Sequence, residues 1–282
     1  MDISVGVDIG ATKIAAGLVD NEGRLLEQVE RPTPREPDQA VETIRLMVER
    51  FLKRGAQLVG VGAPGQLDYA KGIIMDSPNL PQWKNYPLKE KLQEKLNIDI
   101  VFDNDANAAL AGELWQGAAR GKGSVMMLTL GTGVGGALWQ NGKMWRGEAG
   151  PPAARLAHGG TGAELGHTII DPAYPDTCQQ GHKGCLESMI GGAVNEKKFG
   201  KDLKELFADS AFVAQWARAL KKGIEVLVEQ YHPEVVVLGG GVIRDQEKFL
   251  PELKAAGLPV VAATAGPKAG MIGAAWLAFE KK

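Results

Sequence analysis

Between Leu165 and Ser188 the chain reads LGHTIIDPAYPDTCQQGHKGCLES, and this run holds its only two cysteines, Cys178 and Cys185, with two of its four histidines, His167 and His182. Thiolate and imidazole suit zinc, and three or four of them in one loop can close a tetrahedral site. The same residues can also be a reaction centre or two idle thiols in a turn. A second candidate is FDNDANAA, Phe102–Ala109. Asp105 sits where a strand pattern ends and an alanine-rich helix pattern begins. A carboxylate there can take a proton from a substrate hydroxyl, and Asn104 and Asn107 can hydrogen-bond neighbouring hydroxyls. An aspartate at such a junction is also a common N-cap.

Glycine-bearing turns offer a third chemistry. In DIGATK, Asp8–Lys13, Gly10 lets backbone N–H groups approach an anion, while Thr12 and Lys13 add donors. Asp8, at a strand end, is placed to hold Mg²⁺ through water. The plainer reading is a hairpin that needs Gly10. In LGTGVGG, Leu130–Gly136, the residues Gly131, Thr132 and Gly133 expose much backbone N–H, yet the run is neither a P-loop nor a dinucleotide fingerprint. Two such hairpins can grip one triphosphate from both sides. Asn79 in SPNL, Glu164 and His167 in AELGH, and Glu187 after Cys185 are amides, carboxylates and an imidazole that suit a polyhydroxylated ligand.

Positioning these groups requires particular elements. Residues 3–9 alternate and are rich in Val and Ile, which predicts a strand broken at Gly10. Strands follow over Lys13–Val19 and Arg24–Glu30, then a stiff proline-bearing loop. Helical spacing from Asp38 ends at Gly55. Leu58–Val61 and Ile98–Phe102 read as strands, GAPGQLD as a loop, and Leu88–Leu96 and Ala106–Trp115 as helices. The pattern then restarts. VGVDIGATKIAAGLVDNEGRL and MMLTLGTGVGGALWQNGKMW share strand, Gly-Thr turn, strand, Asn-led turn and strand. This is an internal repeat of about 120 residues, too long for a solenoid and suited to two lobes of one topology. Beyond it lie a Gly/Pro/Ala-rich loop at Gly147–Gly162, a long helix over Ala211–Tyr231, a buried strand at Val235–Leu238, a last strand at Val260–Ala263, and a helix from Pro267 rich in small residues.

Bulk properties narrow the class. The 282 residues suffice for one large or two medium domains, with 44% hydrophobic and 23% charged residues. A net charge of −2 gives no electrostatic case for nucleic acid. No apolar run approaches the roughly 20 residues of a membrane helix. MDISVGVDIG has no basic leader, which predicts no signal peptide. Two cysteines in so long a chain suggest a reducing, cytoplasmic setting.

DIGATK, GAPGQLD, PNL, DNDANAA, LGTGVGG, AELGH, the C…GHKGC-L-E stretch and VVVLGGGV occur in the order seen in the ROK family of repressors and sugar kinases. The chain resembles that family from end to end, and within it the bacterial glucokinases. The resemblance implies an α/β actin-like ATPase fold: two ribonuclease-H-like lobes with a cleft between them, here 1–116 completed by 267–282, and 117–266. It implies transfer of a phosphoryl group from ATP, with Mg²⁺, to the 6-hydroxyl of a hexose. On matching positions, Asp105 resembles the general base. Gly65, Asn79, Asn104, Glu164, His167 and Glu187 resemble the sugar pocket. Asp8, Gly10, Thr12 and Lys13 with Gly131, Thr132 and Gly133 resemble the phosphate clamps, and Gly239, Gly240 and Gly241 the adenosine-side loop.

Family members are often dimers or tetramers, so a homo-oligomer with a small-molecule hexose substrate is expected. Glucose leads among substrates, with fructose, mannose, allose and N-acetylmannosamine as alternatives. Repressor members place a DNA-binding segment before DIG; a first strand from Ile3 predicts none here. A non-catalytic sugar sensor should lack the base.

The family's structural zinc site pairs one His with Cys-x-Cys-Gly-x-x-Gly-Cys. His167, Cys178 and Cys185 match, but Gln180 stands where the middle Cys belongs. His182 can complete a Cys₂His₂ set, water or Gln180 can complete a weaker site, or the metal is lost and the loop is held by packing. The loop 147–162 is longer than the family's usual connection, and the region after Gly192 shorter.

Overall fold

The computed structural model describes residues 2–146 and 163–281. The long loop expected at 147–162 lies outside them. The described residues form two compact units: one within 1–120 and 267–282, the other within 121–266.

The first unit is built on β1 (Ile3–Ile9), β2 (Lys13–Asp20), β3 (Leu25–Pro32), β4 (Leu58–Ala63) and β7 (Ile100–Asn104), in the order β3-β2-β1-β4-β7. β1 pairs antiparallel with β2 and parallel with β4, so the sheet is mixed. Side chains of β1 alternate between two faces. Val5, Val7 and Ile9 join the core formed with Ile44, Val48 and Phe51 of helix α1 (Pro37–Leu52). Ser4, Gly6 and Asp8 instead meet helix α9 (Ala269–Glu280): the Ser4 hydroxyl donates to the Ala275 carbonyl at 3.2 Å. A Cβ at Gly6 would lie 1.8 Å from the Met271 carbonyl oxygen, and one at Gly60 equally close to that of Ala274. The small residues of α9 therefore let a helix backbone rest directly on the sheet. Helix α3 (Asp105–Gln116) packs on α9 just as closely, with Gly273 against the Ala108 carbonyl. Helix α2 (Leu88–Leu96) precedes β7 and buries Leu88 and Leu92. The GAPGQLD stretch is not all loop: β5 (Gln66–Asp68) pairs with β6 (Ile73–Asp76), a ribbon of three- and four-residue strands with little alternation to reveal it.

The second unit repeats the plan. β8 (Val125–Leu130), β9 (Val134–Gln140), β10 (Lys143–Met144), β11 (Val235–Gly239) and β12 (Val260–Ala262) are ordered β10-β9-β8-β11-β12. β8 again pairs antiparallel with the strand after it and parallel with β11. Met126, Leu128 and Leu130 of β8 share a core with Trp216, Leu220, Ile224 and Leu227 of helix α7 (Ser210–Tyr231). That helix starts at Asp209, whose carboxylate accepts the Ala211 N–H at 2.8 Å. It ends at His232 in the left-handed conformation, followed by Pro233. Trp216 also stacks edge-on with Phe207 and Phe249. Among the described residues, three short α-helices lie between β10 and α7: α4 (Leu186–Ile190), α5 (Gly192–Phe199) and α6 (Leu203–Leu206), the last closed by an Asp202–Glu205 capping box. A 3-10 segment over Gly241–Lys248 and helix α8 (Leu250–Ala255) join β11 to β12. No helix among the described residues is long and apolar enough to cross a membrane.

Candidate functional site

In the first unit, the turn between β1 and β2 is closed by the Gly10 N–H donating to the Lys13 carbonyl at 2.9 Å. Thr33, which belongs to no motif, laces it from β3's far end. Its hydroxyl donates to the Gly10 carbonyl at 2.7 Å and its N–H to the Thr12 carbonyl at 3.0 Å. Lys13 is paired with Glu30 at 2.8 Å, and both remain substantially exposed. Asp8 ends β1 against Gly270 of α9, where an added Cβ would come within 2.5 Å of the carboxylate. Burial pushes its pKa up to about 6, only partly offset by Lys13.

Asp105 is the first residue of α3, and Asn104 is its N-cap: the Asn104 Oδ1 accepts the Ala106 N–H at 2.9 Å. The Asp105 carboxylate also accepts that N–H, at 2.8 Å. Behind them the buried Asp103 carboxylate accepts from the Asn104 N–H and the Asn107 side-chain amide, each at 2.8 Å. Asn107 therefore faces inward as a brace, not outward toward a hydroxyl. Asn104 Nδ2 donates to the Gly65 carbonyl at 3.2 Å. Gly65 has φ +90°, and a side chain there would strike the Asp76 carbonyl. The fold thus brings Gly65, Asn104 and Asp105 together. Asn79 lies exposed in the turn that the Leu80 N–H closes onto the Ser77 carbonyl.

In the second unit, Glu187 of α4 ties two expected sites together. Its carboxylate accepts the Val134 N–H at 2.8 Å and lies so close under Gly133 that a Cβ there would be 2.6 Å from it. Burial raises its pKa, against the Val134 hydrogen bond and nearby His167. The turn at Gly131–Gly133 is also held from α5, whose Gly192 and Ala193 N–H groups donate to the Gly131 and Thr132 carbonyls at 2.9 and 2.8 Å. Beside it is a cavity of about 430 Å³ lined by Gly131, Thr132, Lys204, Phe207, Gly241 and Arg244 among others. Its size and apolar Phe207 suit a nucleoside, and its rim carries both signs of charge, Lys204 and Arg244 with Glu196, Asp202 and Asp245. Of the three glycines at 239–241, Gly241 lines this cavity. Gly239 lies within β11, and Gly240, with φ +87°, is pressed against Leu130. Lys204, Phe207 and Arg244 escaped the sequence reading because charge and aromaticity in loops and short helices carry no motif.

His167 is buried, and Glu164 precedes its short 3-10 turn with φ +39°, a left-handed conformation uncommon for glutamate. His167 Nε2 is 3.5 Å from the Glu164 carboxylate, while its Nδ1 is 3.6 Å from Cys178 Sγ. The ligand atoms of His167, Cys178 and Cys185 all lie within 4.8 Å of one another. A contact with Cys185, aided by His167, holds the Cys178 thiol well below its ordinary range. Burial opposes a charge on His167, but Cys178, Glu187 and Glu164 outweigh it and raise its pKa. A buried, convergent set of two sulfurs and one imidazole nitrogen fits zinc in donor type.

The ROK family's sequence model matches residues 4–281. The chain belongs to the ROK family. The glucokinase of Thermotoga maritima is 32% identical over 89% of this chain and 85% of its own length. Among solved structures, the ROK hexokinase of Thermus thermophilus superposes with TM-score 0.84 at 34% identity, covering 99% of this chain and 98% of that one. A ROK family glucokinase from Streptomyces griseus, solved with glucose and AMPPNP, gives 0.81 at 30% identity with 99% coverage of both. The two mixed sheets flanked by helices match the two-lobed architecture of these ROK structures.

Proposed function

We propose that this ROK-family sugar kinase transfers the γ-phosphoryl group of ATP to the 6-hydroxyl of glucose, with Asp105 as general base. The observation that carries the reading is the start of α3. Asn104 takes the capping role, and Asp103 and Asn107 brace the turn from behind. The Asp105 carboxylate is thereby held at a fixed strand–helix junction without being the helix's principal cap. Phosphoryl transfer asks a protein for positioning and charge stabilisation more than for covalent chemistry. Asp105 takes the proton of the 6-hydroxyl as that oxygen bonds to the γ-phosphorus, and the bond from that phosphorus to the β,γ-bridging oxygen breaks, its electron pair leaving with ADP.

Asn79 and Asn104, with Glu164, His167 and Glu187, hold the sugar hydroxyls, and Gly65 keeps the pocket wall free of a side chain. The turns at Gly10–Lys13 and Gly131–Gly133 present backbone N–H groups to the phosphates. Gly241, Phe207 and Arg244 border the adenosine. Mg²⁺, oriented by Asp8 through water, would neutralise phosphate charge. A zinc ion at His167, Cys178 and Cys185 would be structural, fixing the loop that carries His167. ADP release by purified protein, with ATP and Mg²⁺ over a hexose panel, tests the reading. The highest kcat/KM is expected on glucose. Preference for fructose, mannose, allose or N-acetylmannosamine would reassign the substrate, and no turnover on any sugar would favour a sensor.

A further inference from the structure

Gln180 leaves the zinc set one thiol short, and an amide is a poor donor to zinc. The loop's own fold brings another ligand to that place. The Gly181 N–H donates to the Cys178 carbonyl and the Cys178 N–H to the His182 carbonyl, each at 3.0 Å, so that 178–182 closes as a tight knuckle. Gly181, with φ +85°, makes the reversal possible. Thr177 and Lys183 form a bridge at its base. This turn returns His182 to Cys178. His182 Nδ1 is 3.6 Å from Cys178 Sγ, the distance at which His167 Nδ1 approaches the same sulfur. The two imidazole rings lie against one another with centroids 4.6 Å apart. Cys185 Sγ is 3.6 Å from the His182 carbonyl oxygen, on the next turn of the same loop.

Those distances can be compared with a zinc tetrahedron. Zn–S of about 2.3 Å and Zn–N of about 2.0–2.1 Å, at a tetrahedral angle, give an S···N edge of about 3.6 Å. Both Cys178 Sγ···Nδ1 distances already have that length. We infer that His182 replaces the absent thiol, so that His167, Cys178, His182 and Cys185 hold one structural zinc ion as a Cys₂His₂ site. His182 lies outside the group of ligand atoms that are within 4.8 Å of one another, and its half-buried ring must turn to close the set around the metal.

The ligand set has a consequence for the neighbouring pocket. A metal on His167 Nδ1 leaves the ring proton on Nε2, which then faces the Glu164 carboxylate as a donor. The tautomer of His167 is thereby fixed by the loop. The inference deepens the proposed role of His167. It is tested by metal binding alone, so its failure leaves the kinase reading standing, and failure of that reading leaves the metal result intact.

The experiment uses full-length protein without a polyhistidine tag, with zinc counted by elemental analysis and affinity measured against a chromophoric chelator. Wild type is expected to hold one zinc per chain. His182→Ala should weaken binding at least as much as loss of an outer-shell partner does, about 10–100-fold. Gln180→Cys in the His182→Ala background should restore it by supplying the thiol. X-ray absorption of the wild-type zinc protein needs no variant and should count two sulfurs and two imidazoles. Zinc well below one per chain in wild type overturns the inference. So does a folded His182→Ala protein of unchanged affinity, or a spectrum with one imidazole only.

Discussion

At the residue scale, the proposed site is made by side chains that are costly to the fold. Asp8 is the clearest. Its carboxyl has a pKa near 6 in the folded chain, above the ordinary 3.8, because burial against α9 disfavours its charge. A raised carboxyl pKa stabilises the fold fully only below the unfolded value, and this contribution is lost as pH rises from about 4 through about 6. At pH 7 the ionised Asp8 is therefore a liability in the nucleotide-free protein. Asp8→Asn should raise stability at pH 7 by about 1–3 kcal/mol while lowering kcat. The gain should vanish near pH 4. Urea denaturation at the two pH values, beside an activity assay, checks both parts. Equal stability of variant and wild type at pH 7 would contradict the burial argument. Glu164 at φ +39° is a second such cost, carried beside His167.

At the element scale, the two hairpins and α9 do the positioning. Glycine-free packing is impossible where α9 rests on β1 and β4, since a Cβ at Gly60 would lie 1.8 Å from the Ala274 carbonyl oxygen. Gly60→Ala should cost at least about 1–3 kcal/mol by overpacking, read as a lower urea midpoint at unchanged slope. An unchanged midpoint would show that α9 can back away freely. The internal repeat was legible because both copies carry strand, Gly-Thr turn and strand in register, and the sheets do share one strand order. Asp105 was legible only as a junction residue: whether it or Asn104 caps α3 depends on φ/ψ at one position, which residue type does not fix. Asn107 is a buried brace where an exposed ligand was equally compatible with its type, since both positions suit an amide. The ribbon β5–β6 and the helices α4, α5 and α6 are too short for periodicity to register. The contacts of α4 and α5 with Gly131, Thr132 and Val134 are long-range in sequence, which motif reading cannot supply.

At the scale of the whole molecule, one topology occurs twice, and each copy carries a Gly-Thr turn after its first strand. The copies have diverged in what surrounds that turn: Thr33 laces the first, while Glu187 and α5 support the second. Nucleotide binding should therefore be readable as global stabilisation. A non-hydrolysable ATP analogue at about one hundred times its Kd should add about 2.7 kcal/mol. Gly241 lines the cavity without needing a left-handed backbone, and the nearest side-chain atom to its added Cβ is 3.8 Å away. Gly241→Val should fold normally yet lose most of that stabilisation, because its side chain would enter the cavity proposed for the adenosine. Full stabilisation of the variant would place the nucleotide elsewhere. Whether Asp105 is the base of a sugar kinase is decided by the turnover of Asp105→Asn on the best hexose. A fall in kcat of at least about 10²-fold is expected, with a thermal midpoint close to wild type and a sugar KM within a few fold. A folded Asp105→Asn protein with near wild-type kcat would contradict it.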